Sequence, residues 1–365
     1  MIAAWLVYAL AIGVLLYAGA RALDLVAHAM GLATRFIWVA AIAATVALST
    51  RQLVRLSKGI DAPTPSLERR IANKVRTAAP IVMVERTLAP NETAHAVRDA
   101  MRAVLVNGVY NLARTRGAIY RVDVAPLDPW NRSLVASWFV GSAALAGFLF
   151  VAFGRLREME RHFEPETIDG VPVSISNDVG PALFGFSRPR IVLPRWALGL
   201  PVTERRIILA HEREHAIARD PETLVGALLM LVVQPWNAAL WAMFSRLRLA
   251  IEMDCDRRVL GRTSDARRYG ELLVLVHSRS TMMPQPLLSF VERTSGLERR
   301  IRRITSRRPS SGRIVGSLLA AGVAIVIATW APTPAPTRHA ERGLTLDQAR
   351  PLDVSFRPLR RGIGQ

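Results

Sequence analysis

Four apolar stretches without a charged residue constrain the fold of this chain more than any other feature. They cover 2–20, 36–50, 133–153 and 314–331. Each approaches the roughly 20 residues that an α-helix needs to cross a bilayer, and tryptophans lie near several of their ends, as they do at membrane interfaces. The stretches predict a mainly α-helical integral membrane protein with about four transmembrane helices and the lipid bilayer as a partner. Buried helices of a soluble core are the alternative.

The composition excludes several classes of protein. Hydrophobic residues make up 51% of the 365 residues, which excludes a disordered chain, because such chains are poor in apolar residues. The formal net charge of +19 could indicate nucleic-acid binding. The arginines flank the apolar stretches, however, and the sequence shows neither a helix-turn-helix nor a basic patch with aromatic residues, so no direct nucleic-acid partner is expected. The single cysteine, Cys255, excludes an internal disulfide framework.

The distribution of arginines predicts the orientation of the spans. Seven arginines lie within 299–313, just before the last apolar stretch, whereas Arg338 and Arg342 follow it. Because positive charges are retained in the cytoplasm, segment 154–312 is expected to face the cytoplasm. Loop 51–132 is also rich in arginine and argues for the opposite orientation, but its basic residues form a less dense cluster.

The motif that carries chemistry is HExxH at 211–215. On an α-helix the side chains of His211 and His215 lie on one face, so both imidazoles can bind one zinc ion. Glu212 lies beside that face, where its carboxylate can accept a proton from a zinc-activated water. The motif therefore predicts a Zn²⁺ site with Glu212 as the catalytic base. A solvated, charged helix face is the alternative.

A catalytic zinc ion has three protein ligands and one position open to water. Glu252, which lies on a later segment, is the predicted third ligand. Asp256, one helical turn further on, is the candidate to hydrogen-bond the far nitrogen of a ligand histidine. Cys255 is the competing ligand because thiolate binds zinc well, although a free cysteine is more often a buried packing residue.

Two further residues can be interpreted in two ways. Asp220 lies about 180° around the helix from His211, so it is not expected to bind zinc. Instead it should end the helix before Pro221 or hold an arginine. Tyr269 could stabilise an oxyanion through its hydroxyl, but packing in the core is its expected role.

A fifth apolar stretch, 223–245, separates the histidines from Glu252. If it crossed the membrane once, Glu252 and the histidines would lie on opposite sides and could not share an ion. Pro235 lies in the middle of the stretch, where it would break a helix. We therefore expect two short helices packed as a hairpin, which dips into the bilayer or lies against the spans.

Two short strands are predicted upstream of the motif. Residues 171–176 alternate between apolar and polar types, and residues 190–194 form a short apolar run after a turn at 185–189. A strand just before a zinc-binding helix can present an open edge to which an extended peptide adds by backbone pairing. An ordinary structural hairpin is an equal alternative.

Together these segments resemble the M56 peptidases, a family that includes the integral-membrane β-lactam sensor-transducers of the BlaR/MecR kind. The resemblance depends on the run at 180–194, HExxH followed by Asp220, the hairpin around Pro235, and Glu252-x-x-Cys255-Asp256. It covers roughly 133–312 and the layout of four spans. The combination of motifs is specific, whereas HExxH alone would not be.

The resemblance implies a small α+β gluzincin-type zinc protease domain that faces the cytoplasm, with the protein in the bacterial inner membrane. His211, His215 and Glu252 would be the metal ligands and Glu212 the general base. In that family the protease cleaves itself or a cytoplasmic transcriptional repressor after an outside signal. The arginine-rich strip 299–308 could be a place of self-cleavage, but a positive-inside anchor is its expected role. A homodimer is left open.

Sensor members of the family carry a penicillin-binding domain after the last span. Only 34 residues follow the last apolar stretch here, too few for such a domain, so direct β-lactam sensing through it is not expected. The alternative to a protease is a non-catalytic membrane signalling scaffold with a structural or vestigial metal site. The predicted divisions are two transmembrane helices in 1–50, an extracytoplasmic loop or small domain at 51–132, a transmembrane helix at 133–153, the protease domain at 154–312, a transmembrane helix at 313–331 and a disordered extracytoplasmic tail at 332–365.

Overall fold

The computed structural model describes residues 2–57, 125–177, 179–185, 189–262, 265–280 and 295–305. The α-helices are α1 (Ile2–Ala29), α2 (Arg35–Ser57), α3 (Asn131–Glu160), α4 (Val202–Ile217), α5 (Asp220–Val233), α6 (Ala238–Leu260), α7 (Ala266–Ser280) and α8 (Ser295–Thr305). The strands are β1 (Glu164–Ile168), β2 (Val171–Ser176), β3 (Ala182–Phe184) and β4 (Arg190–Pro194). Short 3₁₀ helices cover Ala125–Trp130 and Arg195–Gly199.

Helices α1, α2 and α3 are long and apolar enough to cross a membrane. They confirm the prediction of a mainly helical membrane protein, and each extends beyond the apolar stretch that predicted it. No residue in the most apolar part of α3 is buried inside the protein; Phe139, Val140 and Phe150 are among its exposed side chains, as a lipid-facing surface requires. The predicted segments outside the described residues are 314–331, most of 51–132, and 332–365.

The ends of the three long helices define two sides of the molecule. At one side α1 and α3 both begin, and the backbone N–H of Ala3 donates to Oδ1 of Asn131 at 3.2 Å. At the other side α2 begins, and the N–H groups of Thr34 and Arg35 donate to Oδ2 of Asp254 on α6 at 3.1 and 3.2 Å. The sheet follows the end of α3, so it lies on this second side.

Helices α5 and α6 form a hairpin that penetrates among the spans. At its base Asp220 of α5 pairs with Arg35 of α2 at 2.8 Å; at its turn Gln234 donates to Oγ of Ser49 at 2.5 Å. The part of α2 between Arg35 and Ser49 is about 21 Å long at 1.5 Å per residue. This length is about two thirds of the ~30 Å thickness of a hydrocarbon core, and the polypeptide returns through α6 to the side from which it entered.

A four-stranded sheet in the order β1-β2-β4-β3 covers α4. Strands β2 and β4 confirm the strands predicted at 171–176 and 190–194; they pair in parallel, whereas β1 and β3 pair antiparallel with them. One face of the sheet packs its buried apolar side chains against α4 and α7. This cluster includes Val173, Ile175, Leu193, Leu209 and Leu272. The sheet and these helices form the small α+β part of the predicted fold.

Candidate metal centre

Helix α4 places the two histidines of the motif next to each other. The Nε2 atoms of His211 and His215 are 3.2 Å apart, because four residues advance a helix by about one turn and return the side chain to the same face. Ile208 and Leu209 of the preceding turn pack against the sheet. Packing on the sheet thus fixes the helix face that carries the imidazoles.

Helix α6 brings Glu252 to the same point. Its Oε2 lies 3.6 Å from Nε2 of His211 and its Oε1 lies 3.7 Å from Nε2 of His215. The hairpin makes this possible, since α6 returns to the side of α4 and packs against it. The carboxylate is 35% exposed while the imidazoles are 13% and 12% exposed, so the three groups line a half-buried, partly accessible centre.

The far nitrogen of His215 is bound by a residue that the sequence did not assign to this role. Arg219, with a left-handed φ of 53°, turns the chain from α4 into α5. Asp220 follows, and its Oδ2 accepts from Nδ1 of His215 at 2.8 Å. Its other oxygen accepts from Arg35 at 2.8 Å. The expectation that Asp220 holds an arginine is confirmed, and the same carboxylate also orients the histidine.

The far nitrogen of His211 is reached through a hydroxyl. The hydroxyl of Tyr269 on α7 lies 3.0 Å from Nδ1 of His211 and donates to Oδ1 of Asp256 at 2.6 Å. Asp256 itself lies 3.9 Å from that nitrogen, too far for a hydrogen bond. Asp256 was predicted to bond a ligand histidine directly; in this structure the hydroxyl of Tyr269 lies between Asp256 and His211 and connects them.

These partners determine which ring nitrogens carry protons. Arg300 donates to both oxygens of Asp256 at 2.8 and 2.7 Å, so this carboxylate is a hydrogen-bond acceptor. The hydroxyl of Tyr269 has one hydrogen, and it uses this hydrogen to donate to Asp256. Nδ1 of His211 must then donate to the tyrosine oxygen, as Nδ1 of His215 donates to Asp220. In the neutral imidazoles both Nε2 atoms consequently carry lone pairs.

Two Nε2 lone pairs 3.2 Å apart, with a carboxylate beside them, favour the binding of a cation between these groups. Burial lowers the pKa of His211, but its hydrogen bonds with Cys255 and Glu252 outweigh this and raise the pKa to about 9. The pKa of His215 is also raised: burial opposes the shift, and the charge of Glu252 and the bond to Asp220 cause it. The donor set of two imidazole nitrogens and a carboxylate thus fits a divalent transition metal.

Cys255 supplies a second possible donor set. Ligand atoms of His211, His215 and Cys255 all lie within 4.8 Å of one another. The sulfur, however, lies 3.4 Å from Nδ1 of His211 and donates to the carbonyl of the same residue, behind the ring. Burial raises the pKa of the thiol, while its contacts with the two histidines lower it to a greater extent. Glu252 faces both Nε2 atoms directly, which favours it over the thiol as the third donor.

Glu212 lies beside the histidines and is only 7% exposed. Burial raises the pKa of its carboxyl; the positive charge that the histidines can carry opposes this, and the charge of Glu252 adds to it. The pKa of Glu252 is shifted in the opposite direction. Although burial raises its pKa, the adjacent guanidinium of Arg300 holds that pKa well below the usual range. One carboxyl is therefore suited to exchange a proton, and the other to remain an anion.

Three residues of the centre were not predicted in these roles: Asp220 as the partner of His215, Tyr269 as the link to Asp256, and Arg300 as the partner of two carboxylates. The position of Asp220, directly after the end of α4, was a signal that could have been used. No local pattern distinguishes Arg300, since it lies in the arginine-rich strip that the sequence explained by membrane topology.

Comparison with known proteins places the centre inside a family domain. The family model described as BlaR1 peptidase M56 matches residues 130–304, from the start of α3 almost to the end of α8. The chain is also similar to Regulatory protein BlaR1 of Bacillus licheniformis, with 29% identity over 97 residues, which are 26% of this chain and 16% of that protein. The alignment therefore spans less than a fifth of the relative's length.

Proposed function

Because the chain is an M56-family protein of the BlaR/MecR kind, we propose that it is a membrane-embedded, zinc-dependent endopeptidase that transduces a signal by cleaving itself or a cytoplasmic transcriptional repressor. The observation that carries the proposal is the meeting of three groups from two helices. Nε2 of His211 and His215 lie 3.2 Å apart, with the oxygens of Glu252 at 3.6 and 3.7 Å.

In this proposal His211, His215 and Glu252 hold the zinc ion. When bound, zinc supplies Lewis-acid polarisation of a peptide carbonyl and lowers the pKa of water. The hydrogen bonds of Nδ1 of both histidines to Tyr269 and Asp220 support this assignment, because they leave Nε2 free to donate its lone pair. Cys255, behind the ring of His211, packs and hydrogen-bonds instead.

Glu212 is the proposed general base and acid. Its carboxylate accepts the proton of the attacking water, and the carboxyl then returns that proton to the nitrogen of the leaving amine. The raised pKa of Glu212 supports this role, because a carboxylate whose pKa lies nearer to the working pH is a stronger proton acceptor and can still return the proton. Arg300 and Glu252, which stay charged, keep the surrounding field constant during the transfer.

The proposed location of the centre is the cytoplasmic side of the bacterial inner membrane. The centre lies where α2 begins and α3 ends, and arginines are frequent at those ends: Arg35 begins α2, and Arg155 and Arg157 are in the last turns of α3. Such charges favour retention in the cytoplasm. Strand β4, just before α4, lies between β2 and β3 and has no open edge, so the predicted addition of a peptide to this strand is wrong; β1 and β3 are the outer strands of the described sheet.

The test is Glu212→Gln in the full chain. We expect metal content equal to that of the unaltered protein and proteolysis reduced by at least about 100-fold, as for the loss of a positioned general base. Proteomics of cells that express either form should show cytoplasmic fragments, or fragments of the chain itself, only with the unaltered protein.

Glu271→Gln is the matched control, because Glu271 is an exposed glutamate on α7 that pairs only with Arg267 among the described residues. Full proteolysis by Glu212→Gln would remove the proposed base. Zinc bound by the unaltered chain, without cleavage of itself or of any cellular protein, would favour the non-catalytic signalling scaffold.

A further inference from the structure

Arg300 makes contacts that membrane topology does not explain. It belongs to α8, in the arginine-rich strip before the last apolar stretch, yet its side chain is only 12% exposed. Nη1 lies 2.9 Å from Oε2 of Glu252, while Nε and Nη2 donate to the two oxygens of Asp256 at 2.8 and 2.7 Å. One guanidinium thus joins two carboxylates of α6.

Each of these carboxylates leads to a proposed metal ligand. Glu252 is itself a proposed ligand, and Asp256 accepts the hydroxyl of Tyr269, which contacts Nδ1 of His211. By occupying Oε2 of Glu252, Arg300 leaves Oε1 as the oxygen directed at Nε2 of His215. By pairing with Asp256, it keeps that carboxylate an acceptor, which fixes the direction of the hydrogen bonds that end at His211.

We infer that Arg300 is a positioning residue, which acts from α8 through Glu252 and through Asp256 and Tyr269 to hold the oxygen and nitrogen donors of the centre in a geometry that binds metal. The inference rests on the proposed function, since it assumes that His211 and Glu252 are ligands. It adds a dependence of the centre on α8, a helix outside the HExxH motif and outside the helix that carries Glu252.

The shape of the guanidinium is essential to this role. Three of its donors engage three carboxylate oxygens in a planar arrangement, which an ammonium group, as a single point of charge on a flexible stem, cannot reproduce. Arg300→Lys therefore separates the charge from the geometry. The helix is also fixed elsewhere, because Arg303 donates to the carbonyl of His28 at 2.8 Å, so the loss of Arg300 need not release α8.

Charge and position predict opposite effects on metal affinity. A positive guanidinium next to the centre repels a cation, so if Arg300 acted only through its charge, Arg300→Ala would bind metal more tightly and Arg300→Lys would bind as the unaltered chain does. If it positions the ligands, both variants bind metal more weakly, by about 10- to 100-fold, as is typical when partners of metal ligands are lost.

The experiment measures Co²⁺ binding by the full chain in detergent, by competition with a chelator and by the visible absorption of bound Co²⁺. We expect weaker binding and an altered spectrum for both Arg300→Lys and Arg300→Ala. Arg299→Ala, at the exposed neighbouring arginine of α8, is the matched control and should match the unaltered chain. The melting temperature of each variant shows whether it is folded, and Arg300→Lys keeps the charge if Arg300→Ala does not fold.

A double-variant cycle tests the path through the tyrosine. Tyr269→Phe removes the hydroxyl that connects Asp256 to His211, so its effect and that of Arg300→Lys should combine to less than their product. Unchanged or tighter Co²⁺ binding by Arg300→Lys would overturn the inference. Failure of the unaltered chain to bind Co²⁺ would overturn the metal centre and the inference together, whereas full proteolysis by Glu212→Gln would overturn only the proposed base.

Discussion

The two ends of α6 bury polar groups in different ways. At its beginning, Asn237 donates to the carbonyl of Ala9 and to Oε1 of Gln234, and Gln234 donates to Ser49. All of these groups are uncharged. Near its other end α6 carries Glu252 together with buried aspartates that are paired with arginines or backbone N–H groups. One helix therefore connects a neutral polar turn to a charged centre.

The difference follows from where each end of α6 lies along the spans. The hairpin turn contacts the apolar spans α1 and α2, and among such spans an ionised side chain is expensive whereas amides that satisfy one another are tolerated. The centre lies where α2 begins, and there arginines pair with several buried carboxylates, among them Asp220 and Asp256. Helix α6 is therefore positioned by neutral hydrogen bonds at the turn and by ion pairs at the centre, so the two ends can be perturbed separately.

The largest expected effect is at the charged end. Glu252→Ala removes one of three proposed ligands, so stoichiometric zinc binding and proteolysis should both be lost, because two imidazoles alone hold zinc poorly. Metal analysis of the purified full chain measures the first effect and a cleavage assay the second. Glu298→Ala, at an exposed glutamate of α8, is the control. Normal zinc content in Glu252→Ala would instead point to Cys255 as the third ligand.

A smaller effect is expected behind His215. Asp220→Asn keeps the size of the side chain but removes the charge that fixes the tautomer of His215 and pairs with Arg35. Metal affinity should fall by about 10- to 100-fold, measured by chelator competition. Asp265→Asn, on the exposed turn before α7, should leave affinity unchanged. Equal affinities in all three proteins would show that the orientation of His215 does not depend on Asp220.

The neutral end should respond in stability and not in chemistry. Asn237→Ala removes the cap of α6, where Oδ1 accepts from the N–H of Ala239 at 3.2 Å, and leaves the carbonyl of Ala9 without its side-chain donor. The stability should fall by about 1–2 kcal/mol, seen as a lower melting temperature in detergent, with zinc affinity within about twofold of the unaltered chain. A large loss of zinc affinity would mean that the two ends of α6 are coupled.

The smallest effect is expected from close packing at the turn. A Cβ at Gly13 would lie 2.9 Å from Cβ of Ala239 and 3.1 Å from Oδ1 of Asn237, so Gly13→Ala should force a small shift and cost about 1 kcal/mol. Gly147→Ala is the matched control, because no atom lies within 4 Å of its added Cβ. Equal melting temperatures in the two variants would show that α1 can move away from the hairpin at no cost.

Much of the architecture was predictable because it depends on local regularities. Uncharged stretches of about 20 residues indicated the spans, alternation indicated β2, and a short apolar run after a turn indicated β4. The requirement that Glu252 and the histidines share one side implied that 223–245 returns. The four-residue spacing of His211 and His215 placed both rings on one face, whatever the rest of the fold.

The partners of those rings could not be predicted in the same way. Asp256 was assigned to a histidine because helix geometry places it one turn after Glu252, but the space between is filled by Tyr269, which comes from α7. Asp220 reaches His215 only because Arg219 reverses the chain. Neither fact follows from the spacing of residues along one helix.

Sequence alone thus determined that the chain is a membrane protein with a paired-histidine motif and a returning hairpin, because these features depend on hydrophobicity and helical period within short windows. Tertiary structure decided what stands behind each histidine and which arginines meet the carboxylates, because these contacts join α2, α4, α5, α6, α7 and α8. Arg300 resembles its neighbours in the sequence, and only the packing of α8 against α6 distinguishes it from them.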